Sequence, residues 1–246
     1  MKKNQAGLVS ISFRKYTPQE IAAEAARCGL GTIEWGGDVH VPAGDTATAE
    51  AVRTLTLEAG LDPCTYGSYY RLGAMAEEDA AKVAACANVL GSKVVRVWGG
   101  VKGSAELTAE EYRSLVAAAR SFCGELKDFT VALECHMNTV TDDYTQSLRF
   151  LNDVAAENLA MYWQPHQFKT TEYNLQAAKA LAPYVKNVHV FHWRERNRYP
   201  LAGEVELWMR YADIIGTDVP YMLEFMPDDR LESLEAEAKA LLEILK

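Results

Sequence analysis

Short apolar segments of strand character alternate with longer segments of helical periodicity along this whole chain, and no other feature of the sequence limits its fold as much. Such alternation is typical of a parallel sheet whose strands are connected by covering helices. The predicted strands number eight: Leu8–Phe13, Thr32–Trp35, Pro63–Gly67, Val94–Trp98, Val131–Cys135, Ala160–Gln164, Val188–His192 and Tyr221–Phe225.

The ends of several helices are also marked in the sequence. Thr17-Pro18-Gln19-Glu20 and Thr108-Ala109-Glu110-Glu111 are capping boxes, and the first has proline at the first helical position. Gly29, Gly60 and Gly91 each follow a helical stretch and precede the next strand, as a left-handed C-terminal cap does. Such helix start and stop signals recur at regular intervals along the chain.

The number of units favours a closed barrel. Spread over 246 residues, eight units have about 31 residues each, the length of one strand and one helix in a (β/α)₈ TIM barrel. An open doubly wound sheet is the competing fold, but it normally carries a glycine-rich fingerprint after its first strand, and the segment 12–16 contains no glycine. Without a linker or a shift in composition, we expect one α/β domain over residues 1–246.

Composition excludes several classes of function. Twenty-five basic and 34 acidic residues give a net charge of −9, which repels nucleic acid. No apolar run reaches the roughly 18 residues that a membrane span needs, and the N-terminal segment lacks the apolar region of a signal peptide, so we expect a cytoplasmic protein. The five cysteines are odd in number and form no Cys-x-x-Cys pair, so they predict neither a disulfide framework nor a zinc knuckle.

Carboxylates and imidazoles lie where a barrel builds its active site, at the C-terminal ends of the strands. Glu134 and Glu224 come at the ends of the fifth and eighth predicted strands. The histidines between residues 136 and 192 are His136, His166, His189 and His192. Neutral imidazole together with carboxylate suits Mn²⁺, Co²⁺, Zn²⁺ or Mg²⁺. The leading hypothesis is therefore a divalent-metal centre.

Structural explanations compete with this one. A glutamate within an apolar strand needs a partner, and Arg96 on the fourth strand could form a plain ion pair with either glutamate. His189 and His192 are three residues apart, so a regular strand turns only one of them into the barrel. His136 and His166 lie beyond strand ends, where a histidine can contact substrate, support a ligand or simply belong to a loop.

Tryptophans recur at the predicted strand ends, where a pocket would open. Trp98 and Trp163 are two of them, and Trp35 and Trp193 are others. A large aromatic side chain at the mouth can stack on the apolar face of a sugar ring, or it can close the core beneath the loops. The sequence leaves both roles open.

Five segments together resemble the xylose-isomerase-like TIM-barrel superfamily of sugar isomerases and epimerases. The resemblance rests on the order and strand position of the polar residues and covers nearly the whole chain. The segments are Ile33-Glu34, Glu134-Cys135-His136, Trp163-Gln164-Pro165-His166, Val188-His189-Val190-Phe191-His192 and Leu223-Glu224-Phe225.

The resemblance implies a ligand set for one divalent metal. In the superfamily a glutamate ends strand five, an aspartate ends strand six, a histidine lies on strand seven and a glutamate ends strand eight. The similar positions here are Glu134, Gln164, His189 and Glu224. Strand seven of the superfamily usually reads His-x-x-Asp or His-x-x-Glu, and this chain has His192 in place of the acid, so a shifted register would make His192 the ligand.

Gln164 is the main departure from the superfamily pattern, since an amide replaces a carboxylate. A neutral oxygen can still coordinate a metal, with weaker retention of the ion. Gln164 could instead hydrogen-bond substrate, His166 could take its place, or the metal could be absent.

The resemblance further implies an enzyme of carbohydrate metabolism, a metal-dependent sugar isomerase or epimerase. Glu134 and Glu224 would act as the acid–base pair on a carbon next to a metal-bound carbonyl, because a cation on that oxygen stabilises the enolate charge. The candidates for contacting substrate are Glu34, Arg96, Trp98, His136, Trp163, His166 and His192. The expected partner is a small sugar, and a homo-oligomer is expected by analogy.

Two other functions fit the same residues. A lyase acting on a keto-sugar or keto-glycoside would use the same proton abstraction to expel a leaving group. A sugar-binding barrel that has lost its metal, suggested by Gln164, would catalyse nothing. A DNA-repair endonuclease shares the fold but needs a trinuclear zinc cluster and a basic groove, which the net charge of −9 argues against.

Overall fold

Eight parallel strands close into a barrel in the computed structural model, which describes residues 5–246 apart from the side chain of Glu77. The strands of the described chain are β1 (Ala6–Val9), β2 (Thr32–Gly36), β3 (Asp62–Arg71), β4 (Val94–Trp98), β5 (Thr130–Glu134), β6 (Leu159–Trp163), β7 (Val185–Val190), β8 (His192–Arg194), β9 (Asn197–Tyr199) and β10 (Tyr221–Leu223). Around the barrel the order is β1-β10-β7-β6-β5-β4-β3-β2, and β8 and β9 form a separate antiparallel hairpin. The predicted (β/α)₈ barrel is confirmed.

Helices cover the outside of the barrel, one after each barrel strand. They are α1 (Pro18–Arg27), α2 (Thr46–Glu58), α3 (Glu77–Leu90), α4 (Ala109–Glu125), α5 (Tyr144–Val154), α6 (Thr171–Leu181), α7 (Val205–Ile215) and α8 (Leu234–Ile244). Both predicted capping boxes form, at Thr17 and at Thr108. Gly29, Gly60 and Gly91 have φ of +80°, +76° and +80°, which confirms the predicted left-handed ends. Every helix among residues 5–246 is too short or too polar to cross a bilayer.

Several strand ends differ from the prediction, and two of these differences, in β3 and β7, shape the mouth of the barrel. The predicted first strand is too long, since β1 ends at Val9 and Ser10–Phe13 form a 3₁₀ helix. β3 continues to Arg71 because its register against β4 shifts between Gly67 and Tyr70, with Tyr69 at φ +60°. β7 ends at Val190, so the prediction of a barrel strand reaching His192 is wrong. His192 instead begins the β8–β9 hairpin, because the chain leaves the barrel wall there.

The core has two parts. The larger part lies between the strands and the helices, and it contains the buried rings of Trp35, Trp163 and Trp208. The smaller part fills the inside of the barrel with Val9, Ile11, Ala132, Tyr162 and Met222. Above these apolar side chains, the C-terminal halves of the strands carry polar side chains instead, so the interior of the barrel is apolar at the bottom and polar at the top.

Gly67 illustrates how tightly the barrel interior is filled. A Cβ atom at this position would lie 2.6 Å from Glu34 Oε1 and 2.8 Å from Arg96 Nη2, both on neighbouring strands. Only a residue without a side chain leaves room for these two charged groups to meet.

We therefore expect Gly67→Ala to lower the free energy of unfolding by about 1–3 kcal/mol, because the added methyl group must displace buried side chains. Gly124 is the matched control, since it lies in α4 and a Cβ there meets nothing within 4 Å. Gly124→Ala should raise stability by about 0.5–1 kcal/mol through helix propensity. Urea unfolding of both variants measures the difference, and equal effects would contradict the close approach at Gly67.

Candidate metal centre

Glu134, His189 and Glu224 meet at the C-terminal mouth of the barrel, and one potential ligand atom from each lies within 4.8 Å of the others. Glu134 is the last residue of β5, and His189 precedes the end of β7 by one residue. Glu224 follows β10, where its N–H still donates to the Val190 carbonyl at 2.9 Å and so extends the ladder. The three side chains are at most 3% exposed. Parallel strands thus bring together residues 90 positions apart in the chain.

Gln164 completes this group from the end of β6. Its Nε2 donates to the Cys135 carbonyl at 2.8 Å and to Glu134 Oε1 at 3.2 Å. A carbonyl only accepts, so this contact fixes which end of the amide carries the NH₂ group. Gln164 Oε1 is therefore turned toward His189 Nδ1, 2.9 Å away. The side chain presents a neutral oxygen donor to the group.

Arg96 holds Glu134 from the other side. One guanidinium nitrogen, Nη1, bonds to Glu134 Oε2, and Nε donates to Glu34 Oε1 at 3.0 Å. The indole N–H of Trp98 also donates to Glu134 Oε2, at 2.6 Å. Burial by itself would raise the pKa of Glu134, but the positive charge of Arg96, together with His189, His136 and the hydrogen bond from Trp98, outweighs it and lowers that pKa to about 2. Glu134 is a fixed anion.

Glu224 lies in a different environment. Its Oε2 approaches His189 Nδ1 to 3.3 Å without hydrogen-bond geometry and has no hydrogen-bond partner among the described residues. Burial raises the pKa of Glu224 to about 7; His189 opposes this rise, and Glu134 adds to it. The pKa of His189 is raised as well, because Glu224 and the other carboxylates outweigh the effect of burial. Of the two glutamates, only Glu224 is free to change its protonation state near neutral pH.

A divalent cation fits this arrangement in charge and in spacing. Glu34, Glu134 and Glu224 face one guanidinium, which leaves an excess of two negative charges while His189 is neutral. One atom each from Glu134, Gln164, His189 and Glu224 would coordinate the ion. Measured from His189 Nδ1, the distance is 2.9 Å to Gln164 Oε1, 3.3 Å to Glu224 Oε2 and 3.8 Å to Glu134 Oε1. Ligands about 2.0–2.2 Å from an ion lie roughly 3 Å apart, so small adjustments suffice.

Other predicted site residues surround a cavity of 160 Å³ above the group. Arg96, Trp98, His136 and His166 line it, together with Glu134, Gln164 and Glu224. The His136 ring lies 5.3 Å from the Trp98 ring. Glu34 is elsewhere: it is 0% exposed, lies below the cavity and contacts Arg96, with Oε1 3.7 Å from His189 Nε2. Its position supports the group from beneath and gives it no access to substrate.

Trp163 and His192 do not join the group. Trp163 points outward from β6 and packs on Tyr211 and Trp208 at 5.0 and 6.1 Å, the core role that the sequence left open for these rings. His192 lies in the hairpin, where Nδ1 is 2.9 Å from the Pro200 carbonyl. It can serve neither as the metal ligand nor as a wall of the cavity, because the chain has left the barrel before it.

Several residues at the mouth were not singled out from the sequence. Phe225 and Gln167 line the cavity, and the Tyr69 ring packs edge-on against Trp98 at 5.0 Å. Tyr69 and Phe225 have φ of +60° and +51°, a conformation that is rare for bulky side chains. Left-handed backbone in a non-glycine residue leaves no mark in the sequence, so only the bulge in β3 and the end of β10 reveal it.

Comparison with known proteins places the barrel among sugar-isomerase folds. A 3-dehydroshikimate dehydratase from Bacillus anthracis is 27% identical over 188 residues, 67% of each chain. The crystal structure of the probable 3-DHS dehydratase AsbF from Bacillus anthracis superposes with a TM-score of 0.81 at 22% identity, covering 97% of this chain and 98% of that one. A xylose isomerase-like TIM-barrel protein from Mycobacterium smegmatis in complex with magnesium gives 0.75 at 11% identity, covering 98% and 96%. This chain has the xylose isomerase-like TIM-barrel fold.

Metal ions occur in more than one protein of this fold. The IolI protein, solved with a bound zinc atom, has a TM-score of 0.78 at 13% identity over 98% of both chains. No family model matches the chain. The buried group of Glu134, His189 and Glu224 at the mouth is a candidate divalent-metal site of this chain.

The raised pKa of Glu224 has a measurable consequence for the metal-free protein. Its pKa is about 7 in the folded state and 4.5 ordinarily, so the folded state binds the proton more tightly and stability falls as pH rises between these values. In EDTA, we expect the free energy of unfolding to drop by up to roughly 3 kcal/mol from pH 5 to pH 8.

Glu224→Gln should remove most of this drop and make the metal-free protein more stable than the wild type at pH 8. Glu134, whose pKa is lowered to about 2, contributes outside this pH range. The exposed Glu125→Gln is the control and should follow the wild type. Urea titrations at both pH values measure the effect; parallel curves for wild type and Glu224→Gln would refute it.

Proposed function

We propose that this protein is a divalent-metal-dependent lyase that removes the proton next to the carbonyl of a neutral, polyhydroxylated ketone and expels the group on the following carbon. The observation that carries the proposal is the unequal hydrogen bonding of the two glutamates. Glu134 has both carboxylate oxygens engaged, whereas Glu224 Oε2 has no partner in the described residues. One carboxylate is anchored, whereas the other would bind the ion through Oε2 and take the proton on Oε1, which accepts no hydrogen bond in the described residues.

Glu134, Gln164, His189 and Glu224 would hold the ion, of which Mn²⁺, Co²⁺, Mg²⁺ and Zn²⁺ all suit this donor set. When bound, the ion supplies positive charge where the carbonyl oxygen becomes negative. Trp98 and Arg96 keep Glu134 in place during the reaction, because each donates to the oxygen that faces away from His189. Glu224 takes the proton from carbon.

One free carboxylate suits elimination better than epimerisation. The isomerase or epimerase suggested by the superfamily resemblance takes a proton from one face of a carbon and returns it to the other, which requires two groups that exchange protons. Releasing Glu134 for this task would break its contacts with Arg96 and Trp98 and leave Glu34 as the remaining carboxylate partner of a buried guanidinium. Elimination needs a single base. The relative that is 27% identical over 188 residues is a dehydratase, an enzyme that catalyses an elimination.

The cavity favours an uncharged substrate. Among the described residues that line it, Arg96 is the only permanent cation, and Nε and Nη1 of Arg96 already bond to glutamates. Nη2 of Arg96 has no hydrogen-bond partner among the described residues, but it is buried, so no permanent cation that lines this cavity is accessible to a substrate carboxylate. Hydroxyl groups, by contrast, find both donors and acceptors. His136 Nδ1 donates to the Met137 carbonyl at 2.7 Å, so its neutral ring offers Nε2 as an acceptor.

The reaction itself is tested with free 3-keto-D-glucose and Mn²⁺-loaded protein in D₂O. We expect loss of water and a conjugated enone that absorbs in the ultraviolet. Glu224→Gln should lower kcat by about 10³-fold, within the range of general-base contributions. Recovered sugar that carries deuterium at one carbon with an intact skeleton would show an epimerase instead.

Two further results of this experiment matter. Faster turnover of 3-dehydroshikimate than of the keto-sugar would contradict the neutral substrate. If the protein binds the ketone but converts none of it, the result would support a sugar-binding barrel without catalytic activity. The homo-oligomer and the cytoplasmic location expected from the sequence stay predictions.

Metal binding is tested by calorimetric titration with Mn²⁺. We expect His189→Ala and Glu134→Gln to weaken binding at least 100-fold, because each removes a ligand from a preformed set, whereas Gln164→Asp should tighten it about tenfold by adding a negative ligand. Glu237→Gln is the control, since Glu237 is a buried glutamate of α8 that accepts the Leu201 N–H at 3.0 Å, away from the mouth. Equal Mn²⁺ affinity in all four variants would exclude the proposed site.

A further inference from the structure

A second cavity of 330 Å³ opens directly beside the catalytic cavity of 160 Å³. We call it the side cavity. Residues that line both are Pro165, His166, Gln167, Phe191 and Trp193. Two cavities with five lining residues in common lie next to each other at the mouth of the barrel, so a molecule bound at the carboxylates has the side cavity as its neighbouring space.

Aromatic side chains form much of the side cavity. Phe168, at its rim, is 47% exposed, which is unusual for so large an apolar group. Trp193, Phe191 and Tyr211 line it further in. The indole nitrogen of Trp193 is buried and has no hydrogen-bond partner among the described residues. The aromatic rings of the lining suit a flat group that stacks on them, and the charged residues of the lining are Lys169, Arg194, Glu195 and Glu204.

The volumes are too large for a reaction that releases only water. A water molecule takes up about 30 Å³ in the liquid. The catalytic cavity of 160 Å³ is smaller than the roughly 300 Å³ at which ligand pockets begin, and adding the side cavity brings the pair into that range.

We propose that the side cavity binds the leaving group of the reaction and that this group is a ring, so that the substrate class is a keto-glycoside. This inference rests on the proposed lyase function and specifies what it expels.

His166 is placed to assist the departure of that ring. Its backbone is fixed by Asn174, whose Oδ1 accepts the His166 N–H at 2.8 Å and whose Nδ2 donates to the His166 carbonyl at 3.2 Å. His166 Nδ1 accepts the N–H of Phe168 at 3.2 Å. A backbone N–H can only donate, so the proton of the neutral ring is on Nε2. Because the ring borders both cavities, this N–H can donate to an oxygen that joins the two halves of a substrate.

The step balances without an oxidant or reductant. Glu224 takes the proton from the carbon next to the carbonyl, and that C–H electron pair becomes a C=C double bond to the next carbon. The C–O bond to the leaving ring breaks, and its electron pair goes to the oxygen. That oxygen receives the proton of His166 Nε2, which regains one from solvent. The products are a conjugated keto-sugar and an alcohol.

The leaving-group cavity is tested with Mn²⁺-loaded protein and two substrates, p-nitrophenyl 3-keto-β-D-glucoside and free 3-keto-D-glucose. We expect the wild type to prefer the glycoside in kcat/KM. Phe168→Ala should raise KM for the glycoside about tenfold, the loss of one aromatic contact, and leave the free sugar unchanged. Val101→Ala is the matched control, because Val101 is 55% exposed and does not line the side cavity.

The role of His166 is tested by varying the leaving group. With the methyl 3-keto-glucoside, His166→Asn should lower kcat about 100-fold, the usual contribution of a proton donor. With the p-nitrophenyl glycoside, it should lower kcat less than threefold, since p-nitrophenolate departs without a proton. Equal losses for both substrates would show that His166 only supports the fold and would overturn its role.

The outcomes separate this inference from the proposed function. If the wild type eliminates water from 3-keto-D-glucose but neither glycoside reacts faster, the keto-glycoside inference fails and the lyase stands. If no keto substrate reacts although Mn²⁺ binds, the lyase itself fails. If Phe168→Ala changes KM equally for sugar and glycoside, the side cavity does not hold the leaving group.

Discussion

The contact of Arg96 with Glu34 and Glu134 is the interaction on which the mouth of this barrel depends. A guanidinium that is 2% exposed and two nearly buried carboxylates would each be strongly unfavourable alone. Together they satisfy most of their charge, and Gly67 leaves the space in which they meet. The single guanidinium is shared by Glu34 and Glu134. The third carboxylate, Glu224, has no arginine partner, so the group carries excess negative charge that a cation would neutralise.

Glu134 and Glu224 are residues of the same type, but they differ in their hydrogen bonding. Glu134 is held by Arg96 and Trp98 through one oxygen and by Gln164 through the other. Glu224 keeps an oxygen free. In a symmetric site both could exchange protons, as an epimerase requires. Here the hydrogen bonds anchor Glu134 and leave Glu224 with an oxygen that has no partner among the described residues, and the amide of Gln164 keeps the total negative charge lower than three acidic ligands would.

The loops after the strands decide what reaches this centre. Because β7 ends at Val190, the chain forms the β8–β9 hairpin, and Trp193 of that hairpin lines both the catalytic cavity and the side cavity. Strained backbone at Tyr69 and Phe225 adds aromatic rings to the same mouth. These features lie at strand ends, where barrels can vary without loss of the core.

The sequence by itself determined the eight strand–helix units and the capped helix ends, and it placed Glu134 and Glu224 at one edge, because hydrophobic periodicity and the parallel arrangement of strands bring strand ends together. It left open whether His189 or His192 joins them. It could not determine which of two glutamates is anchored, that Trp163 faces outward, that Glu34 lies beneath the cavity, or that His192 leaves the barrel. Those outcomes depend on where each strand ends and which side chains meet across the barrel. Such distances of a few ångströms arise only when the sheet closes, since they join residues that are far apart in the chain.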